Sequence, residues 1–278
     1  MLGHDLQRAL FGRDVTALSR ADLDVTDRRA VSDAVAGRDV VFNAAAYTRV
    51  DDAEAHEDAA FAVNALGAEN LAIAAHDVGA KLVTISTDYV FKGDAGTPYV
   101  EDAPRDPLNA YGRTKAAGEE RALAAHPDGT YVVRTAWLYG EHGPNFAKTM
   151  LRLAASHDTV AVVDDQRGQP TWTADLADQL VRLVDADAPS GIYHGTASGE
   201  TTWFGFARAV FELAGLDPER VQPTTSADFV RPAARPAYSV LGHDAWGATG
   251  LPVMRDWRDA LAEAFDRKAF DDNPAGDR

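Results

Sequence analysis

Three short apolar runs, each separated from the next by a helix-length stretch, limit this chain to one kind of fold. They are Val40-Val41-Phe42-Asn43-Ala44-Ala45-Ala46, Lys81-Leu82-Val83-Thr84-Ile85-Ser86 and Tyr131-Val132-Val133-Arg134-Thr135. Their apolar character is continuous rather than alternating, as in strands covered on both faces of a parallel sheet. Helical patterns over about 58–78 and 108–126 supply the long crossovers that parallel neighbours require. The alternation predicts an α/β fold with a doubly wound, Rossmann-like parallel sheet.

The flanking chain fits that frame. Leu6, Leu10 and Phe11 share one helical face over residues 4–11, and Gly12 ends that helix. Val15 to Leu18 reads as a short strand, and Thr26 or Asp27 caps a helix ending near Gly37. After Thr135 the alternation loosens. Helices are expected over 146–155, 173–187, 203–213 and 257–265, strands over 160–163 and 192–194, and a loop over 223–236. Residues 1–145 are therefore read as a dinucleotide-binding domain, with part of 155–190 returning to it. Residues 146–278 are read mainly as a smaller substrate-binding lobe.

The start of the chain is unusual for such a sheet. A doubly wound fold opens with a central strand and a glycine-rich turn before its first helix, and here only Met1-Leu2-Gly3 precede that helix. Without the strand, buried backbone groups lose their partners at about 1–3 kcal/mol each. The expectation is a natural chain that begins about ten or more residues earlier and carries the missing strand there.

Composition excludes several function classes. There is no cysteine, so disulfides, thiolate metal sites and a cysteine nucleophile are ruled out, and no metal is expected. The formal charge is −16, with 5 Lys beside 22 Arg and the acids scattered along the whole chain. Scattered Asp with scarce Lys reads as a hydrated surface suited to high salt, hence a halophilic source. The same charge argues against nucleic-acid binding. No apolar stretch has the length of a membrane span or a signal core, so a cytoplasmic location without membrane contact is expected.

The chemistry-bearing residues lie between Ser86 and Lys115. Tyr111 and Lys115 are four apart in a helix and share a face, while Thr87 closes the preceding strand. Reducing a ketone needs a proton donor for the developing alkoxide, and a tyrosine hydroxyl serves if its pKa is lowered. A lysine ammonium one turn away does this by favouring the phenolate. A threonine hydroxyl can bind the same oxygen and orient it. Alone, a Tyr-x-x-x-Lys pair is common on solvated helix faces. Its place after a parallel strand ending Ser86-Thr87-Asp88 is what points to hydride transfer.

Several blocks in order make the chain resemble the extended short-chain dehydrogenases/reductases, and among them the dTDP-4-dehydrorhamnose reductase family. They are Asn43 to Thr48 with Val50-Asp51, Ser86 to Phe91, Asn109 to Lys115, Arg134 to Tyr139 and Asn145 to Met150. Asp165-Gln166, Gly168, Pro170-Thr171, Gly191 to His194, Thr201 to Trp203 and Arg235-Pro236 continue the set. The resemblance implies NAD(P)H-dependent reduction of the C4 ketone of dTDP-4-dehydro-L-rhamnose to dTDP-L-rhamnose. It makes Thr87, Tyr111 and Lys115 a catalytic triad, with Tyr111 as proton donor and Lys115 also on the nicotinamide ribose. It places Thr87, Asp88 and Trp137 against the sugar nucleotide. Leu2-Gly3, Asp24-Val25 and Ala45-Ala46-Tyr47 match cofactor-binding segments, and a homodimer follows from the same likeness.

Other roles stay open on the sequence. Arg235 can pair with a pyrophosphate or form a surface salt bridge. Trp137 has a second reading as core. Arg20, where no acid claims a ribose hydroxyl, favours NADPH over NADH. His4 and His194 are not expected to be catalytic. A 4,6-dehydratase needs an Asp-Glu pair after the threonine, and here Tyr89 follows Asp88. Two alternatives remain: another sugar-nucleotide reductase or epimerase on this fold, and a non-catalytic subunit resembling the methionine adenosyltransferase regulator.

Overall fold

The computed structural model describes residues 1–271. Helices α1 (Leu2–Ala9) and α2 (Arg28–Val35) precede strand β1 (Val40–Asn43). Short helices α3 (Val50–Ala53) and α4 (Glu57–Phe61) lead through a π-helical turn, Ala62–Leu66, into α5 (Gly67–Val78). Next come β2 (Lys81–Thr87), α6 (Ala110–Ala125) and β3 (Thr130–Thr135). Then follow β4 (Leu138–Tyr139), α7 (Phe146–Ala154), β5 (Val160–Val163), β6 (Arg167–Gly168) and β7 (Thr171–Trp172). Last are α8 (Thr173–Asp185), β8 (Gly191–His194), β9 (Thr201–Thr202), α9 (Trp203–Leu213), β10 (Val221–Thr224) and α10 (Trp257–Asp266).

The main sheet runs β1-β2-β3-β8, parallel throughout. Strand periodicity sorts its residues to two faces. Leu82 packs with Val31, Leu71, Ala75 and Ala122, under α2, α5 and α6. Val83 and Val133 pack on the other face with Leu2, Leu6, Leu176 and Leu180 of α1 and α8. A further core joins Tyr139, Phe206, Phe211, Trp257 and Leu261. Fully burying such a side chain contributes about 1.5–3 kcal/mol. No helix among the described residues is long and apolar enough to cross a membrane.

Capping explains where the helices begin. Asp27 accepts hydrogen bonds from the backbone N–H groups of Arg29 (3.0 Å) and Ala30 (3.1 Å) at the start of α2. Asn109 does the same for Gly112 (2.8 Å) at the start of α6, which places Tyr111 in its first turn.

Three expectations need correction. Val15 to Leu18 is not a strand but an exposed loop, with Val15 41% and Leu18 47% accessible. Four residues form no strand without a neighbour for their backbone groups, and none is paired with them. The apolar run from Val40 stops pairing at Asn43, because Asn43 Oδ1 accepts the Ala45 N–H (3.1 Å) and turns the chain. The long helix up to Val78 is interrupted at Ala62–Leu66, where the π turn inserts Asn64 inward.

Candidate active site

The carboxyl end of β2 and the first turns of α6 assemble the site. Thr87 ends β2, and its Oγ1 accepts the Tyr89 N–H (3.2 Å), turning Asp88–Val90 into a 3-10 helix. The same hydroxyl donates to Asp88 Oδ1 (2.9 Å). Gly112 lies so close to this turn that a Cβ there would collide with the Tyr89 carbonyl oxygen. Only glycine permits that approach, and it brings the Tyr111 phenol to the Thr87 hydroxyl. The Tyr89 ring stands edge-on to Tyr111, with centroids 6.0 Å apart.

Electrostatics at the site differ from the expectation in one respect. Burial pushes Tyr111 up to about 12, opposed only by the Thr87 hydroxyl. Lys115 is not among the groups that lower it, and its Nζ donates to the Ile85 carbonyl oxygen (2.5 Å). The lysine itself is lowered to about 8 by burial, with the Glu119 carboxylate opposing. The result is a tyrosine that keeps its proton at neutral pH, beside a lysine that is mostly charged there.

Asp88 is buried with them. Loss of solvent pushes its carboxyl up to about 6, and the Ser239 and Thr87 hydroxyls oppose that rise. Its Oδ2 has no hydrogen-bond partner, nor has the buried Thr135 hydroxyl on the neighbouring strand. Buried polar atoms left over at a strand end are acceptors and donors available to a ligand. Thr135 is the register partner of Thr87.

Asn64 is a site residue that sequence reasoning missed. Its Oδ1 accepts the Tyr47 N–H (2.8 Å) and its Nδ2 donates to the Tyr47 carbonyl (3.2 Å) and to Thr114 Oγ1 (3.1 Å). It thereby ties the Ala44–Tyr47 loop to α6, between Tyr111 and Lys115. The available signal was a lone polar residue, Asn64, in the otherwise apolar run 59–68. π turns of this kind often mark functional positions.

The remaining expected residues fall into two groups. Ala45 and Ala46 follow β1, whose carboxyl end neighbours that of β2, and exposed Ala44 and Ala45 leave backbone open there. Tyr47 donates its hydroxyl to Asp52. Arg235 pairs with Asp51 (3.0 Å) and lies over the Tyr89 ring at 5.9 Å. Trp137 comes two residues after Thr135 and stacks on Trp203, with centroids 3.7 Å apart. Its φ of +47° is a conformation few non-glycine residues adopt, and a Cβ on Gly168 would come within 2.6 Å of its indole.

The second group is not drawn toward Tyr111. Asp24 Oδ1 is occupied by the Thr26 N–H (2.9 Å) and hydroxyl (2.8 Å), and Val25 packs against Gly67 on α5. Leu2 is buried core. Gly3 has no atom within 4 Å of an added Cβ, because no strand precedes α1 among the described residues. A dinucleotide fits best along the carboxyl ends of β1 and β2, as in other open α/β sheets. The unpartnered Asp88 and Thr135 atoms lie at that edge.

Comparison with known proteins identifies the family. Residues 1–270 match the family model described as RmlD substrate binding domain. A dTDP-4-dehydrorhamnose reductase of Streptomyces griseus is 54% identical, covering 95% of this chain and 90% of its own. A dTDP-4-keto-6-deoxy-D-glucose reductase of Streptomyces niveus is 52% identical, covering 95% and 93%. The crystal structure of a dTDP-4-dehydrorhamnose reductase of Bacillus anthracis in complex with NADP superposes with a TM-score of 0.92. It is 39% identical and covers 96% of this chain and 95% of its own.

Proposed function

Because the chain belongs to the dTDP-4-dehydrorhamnose reductase family, we propose that it reduces the C4 ketone of a dTDP-4-keto sugar. The substrate on this reading is dTDP-4-dehydro-L-rhamnose, the product dTDP-L-rhamnose, and the cofactor NADPH in preference to NADH. The observation that carries the reading is a half-buried, protonated Tyr111 facing the Thr87 hydroxyl at the end of β2, one helical turn from Lys115.

When bound, the nicotinamide supplies the hydride. Tyr111 donates its proton to the C4 oxygen as charge develops there, which typically contributes about 10²–10⁴-fold in rate. Thr87 hydrogen-bonds the same oxygen and sets its direction. Lys115 holds the ribose. Asp88 Oδ2, unpartnered and buried, accepts a sugar hydroxyl. Trp137 and Arg235 extend the site toward the sugar nucleotide, with Arg235 exchanging Asp51 for phosphate oxygens. Leu2-Gly3, Asp24-Val25 and Ala45 to Tyr47 serve the cofactor. The same reading makes the protein a cytoplasmic homodimer.

Tyr89 after Asp88 argues against elimination, and the intact Thr87, Tyr111 and Lys115 argue against a purely regulatory subunit. The test is oxidation of NADPH, followed by absorbance in molar KCl, with dTDP-4-dehydro-L-rhamnose and with dTDP-4-keto-6-deoxy-D-glucose. Turnover is expected to fall by about 10²-fold or more in Tyr111→Phe while cofactor binding persists. No turnover of either sugar by the unmodified protein overturns the reading.

A further inference from the structure

A row of polar side chains crosses the sheet one residue below Thr87. Ser86, Arg134 and His194 are register partners on β2, β3 and β8, and all three are buried. They face α6, which contributes Glu119, itself 2% exposed. Arg134 meets Glu119 with a two-pronged fork, Nε to Oε1 at 2.9 Å and Nη2 to Oε2 at 2.8 Å. Ser86 Oγ donates to Glu119 Oε1 at 2.5 Å. Arg134 Nη1 donates to the Glu101 carbonyl (2.9 Å) and to His194 Nε2 (3.3 Å). His194 Nδ1 donates to the Gly242 carbonyl (2.8 Å), which fixes the neutral tautomer that can accept from arginine.

Seen along α6, successive turns grip the last three residues of β2. Tyr111 meets Thr87, Lys115 reaches Ile85 and Glu119 holds Ser86. We propose that Glu119, locked by Arg134, is a positioning residue for the reaction site. It anchors the turn of α6 that carries Lys115 to the strand that carries Thr87, and it supplies the buried negative charge that keeps Lys115 an ammonium. An ion pair buried this deeply is poor evidence of stability for its own sake. Its placement one turn below Lys115 gives it a use.

The groups facing Lys115 support this. On α6, Tyr111 and Glu119 lie one turn to either side of it, and β2 offers the Ile85 carbonyl that takes its hydrogen bond. Arg134 of β3, His194 of β8 and Arg105 of the preceding loop (3.5 Å) bear on Glu119 or its partner, not on the lysine directly. From the π turn, Asn64 adds an uncharged amide. Glu119 is the carboxylate that favours the charged form of Lys115 against its burial.

The consequence for catalysis rests on the proposed reductase reading, but the anchoring can be read without substrate. The chain has 5 Lys, so a ¹³Cε-lysine NMR titration resolves each, with Lys115 identified by its absence in Lys115→Arg. In Glu119→Gln the Lys115 midpoint is expected to fall by about one pH unit. The alkaline limb of kcat for the 4-keto sugar is expected to fall with it. Glu119→Gln leaves Arg134 buried and unpaired, so the double variant Glu119→Leu/Arg134→Met, which removes both charges, serves as the second readout. A smaller downward shift is expected there, because loss of the Arg134 charge partly offsets loss of the carboxylate. A folded single or double variant with an unchanged Lys115 midpoint overturns the proposal, since a purely structural role would cost only thermal stability. A shifted midpoint in a protein that turns over no 4-keto sugar supports the anchoring and sinks the reductase reading.

Discussion

At Asp88 a carboxylate is held out of water where a substrate hydroxyl would need an acceptor, and its cost to stability is measurable. Its folded pKa of about 6 lies above the ordinary 3.8 because burial disfavours the charge. Between those two values the native state holds a proton that the unfolded chain has released, so stability falls as pH rises through that window. Above about pH 6 the full penalty is present, on the order of 3 kcal/mol. Asp88→Asn is therefore expected to melt at a higher temperature than the parent at pH 8 and at nearly the same temperature near pH 4. Activity is expected to drop in the same variant. Equal melting temperatures at pH 8 would mean that the charge is better solvated than its burial indicates.

Among the elements, the π turn and α6 form a tight junction. A Cβ on Gly118 would collide with the Asn64 carbonyl oxygen, and that closeness lets Asn64 Nδ2 reach Thr114 (3.1 Å). Backbone lies on the opposing side, so a methyl group cannot be absorbed by a rotamer change. Gly118→Ala is expected to lose about 1–3 kcal/mol in urea unfolding. Because the shift would move the helix bearing Tyr111 and Lys115, kcat is expected to fall more than cofactor affinity. A neutral Gly118→Ala would show that α5 and α6 can separate without consequence. The helix's other close approach, Gly112 against Tyr89, acts at the reaction end. Two glycines thus set the height of α6 over the catalytic strand.

Over the whole molecule, the charge of −16 sets the response to salt. Arginines make exposed pairs such as Arg13–Asp185 (2.6 Å) and Arg113–Glu57 (2.7 Å). Such pairs contribute only about 0.2–1 kcal/mol each and weaken in salt. Repulsion among the surplus carboxylates is screened at the same time, as the Debye length shrinks to about 3 Å at 1 M. With so large a surplus, screening should dominate, and the melting temperature is expected to rise steadily from low salt to molar KCl. A fall would mean that the arginine pairs outweigh the repulsion.

The fold class was readable in the chain because burial on both faces leaves a local trace, as in Lys81–Ser86, and helix periodicity does the same for Tyr111 and Lys115. Thr87 was readable from its place at a strand end. What could not be read is everything set by which strands become neighbours. Arg134 and His194 are 60 residues apart in sequence, and only sheet register makes them adjacent. The same holds for Lys115, whose partner is a backbone carbonyl and not the tyrosine expected, and for Tyr111, which burial raises to about 12. Val15–Leu18 failed for a related reason: β character is local, but a strand exists only where a second one pairs with it. Residue types and their spacing therefore determined the reaction class and the residues proposed to carry it. Desolvation and long-range contact, which depend on the folded surroundings, determined their charge states and the buried pair that holds them in place.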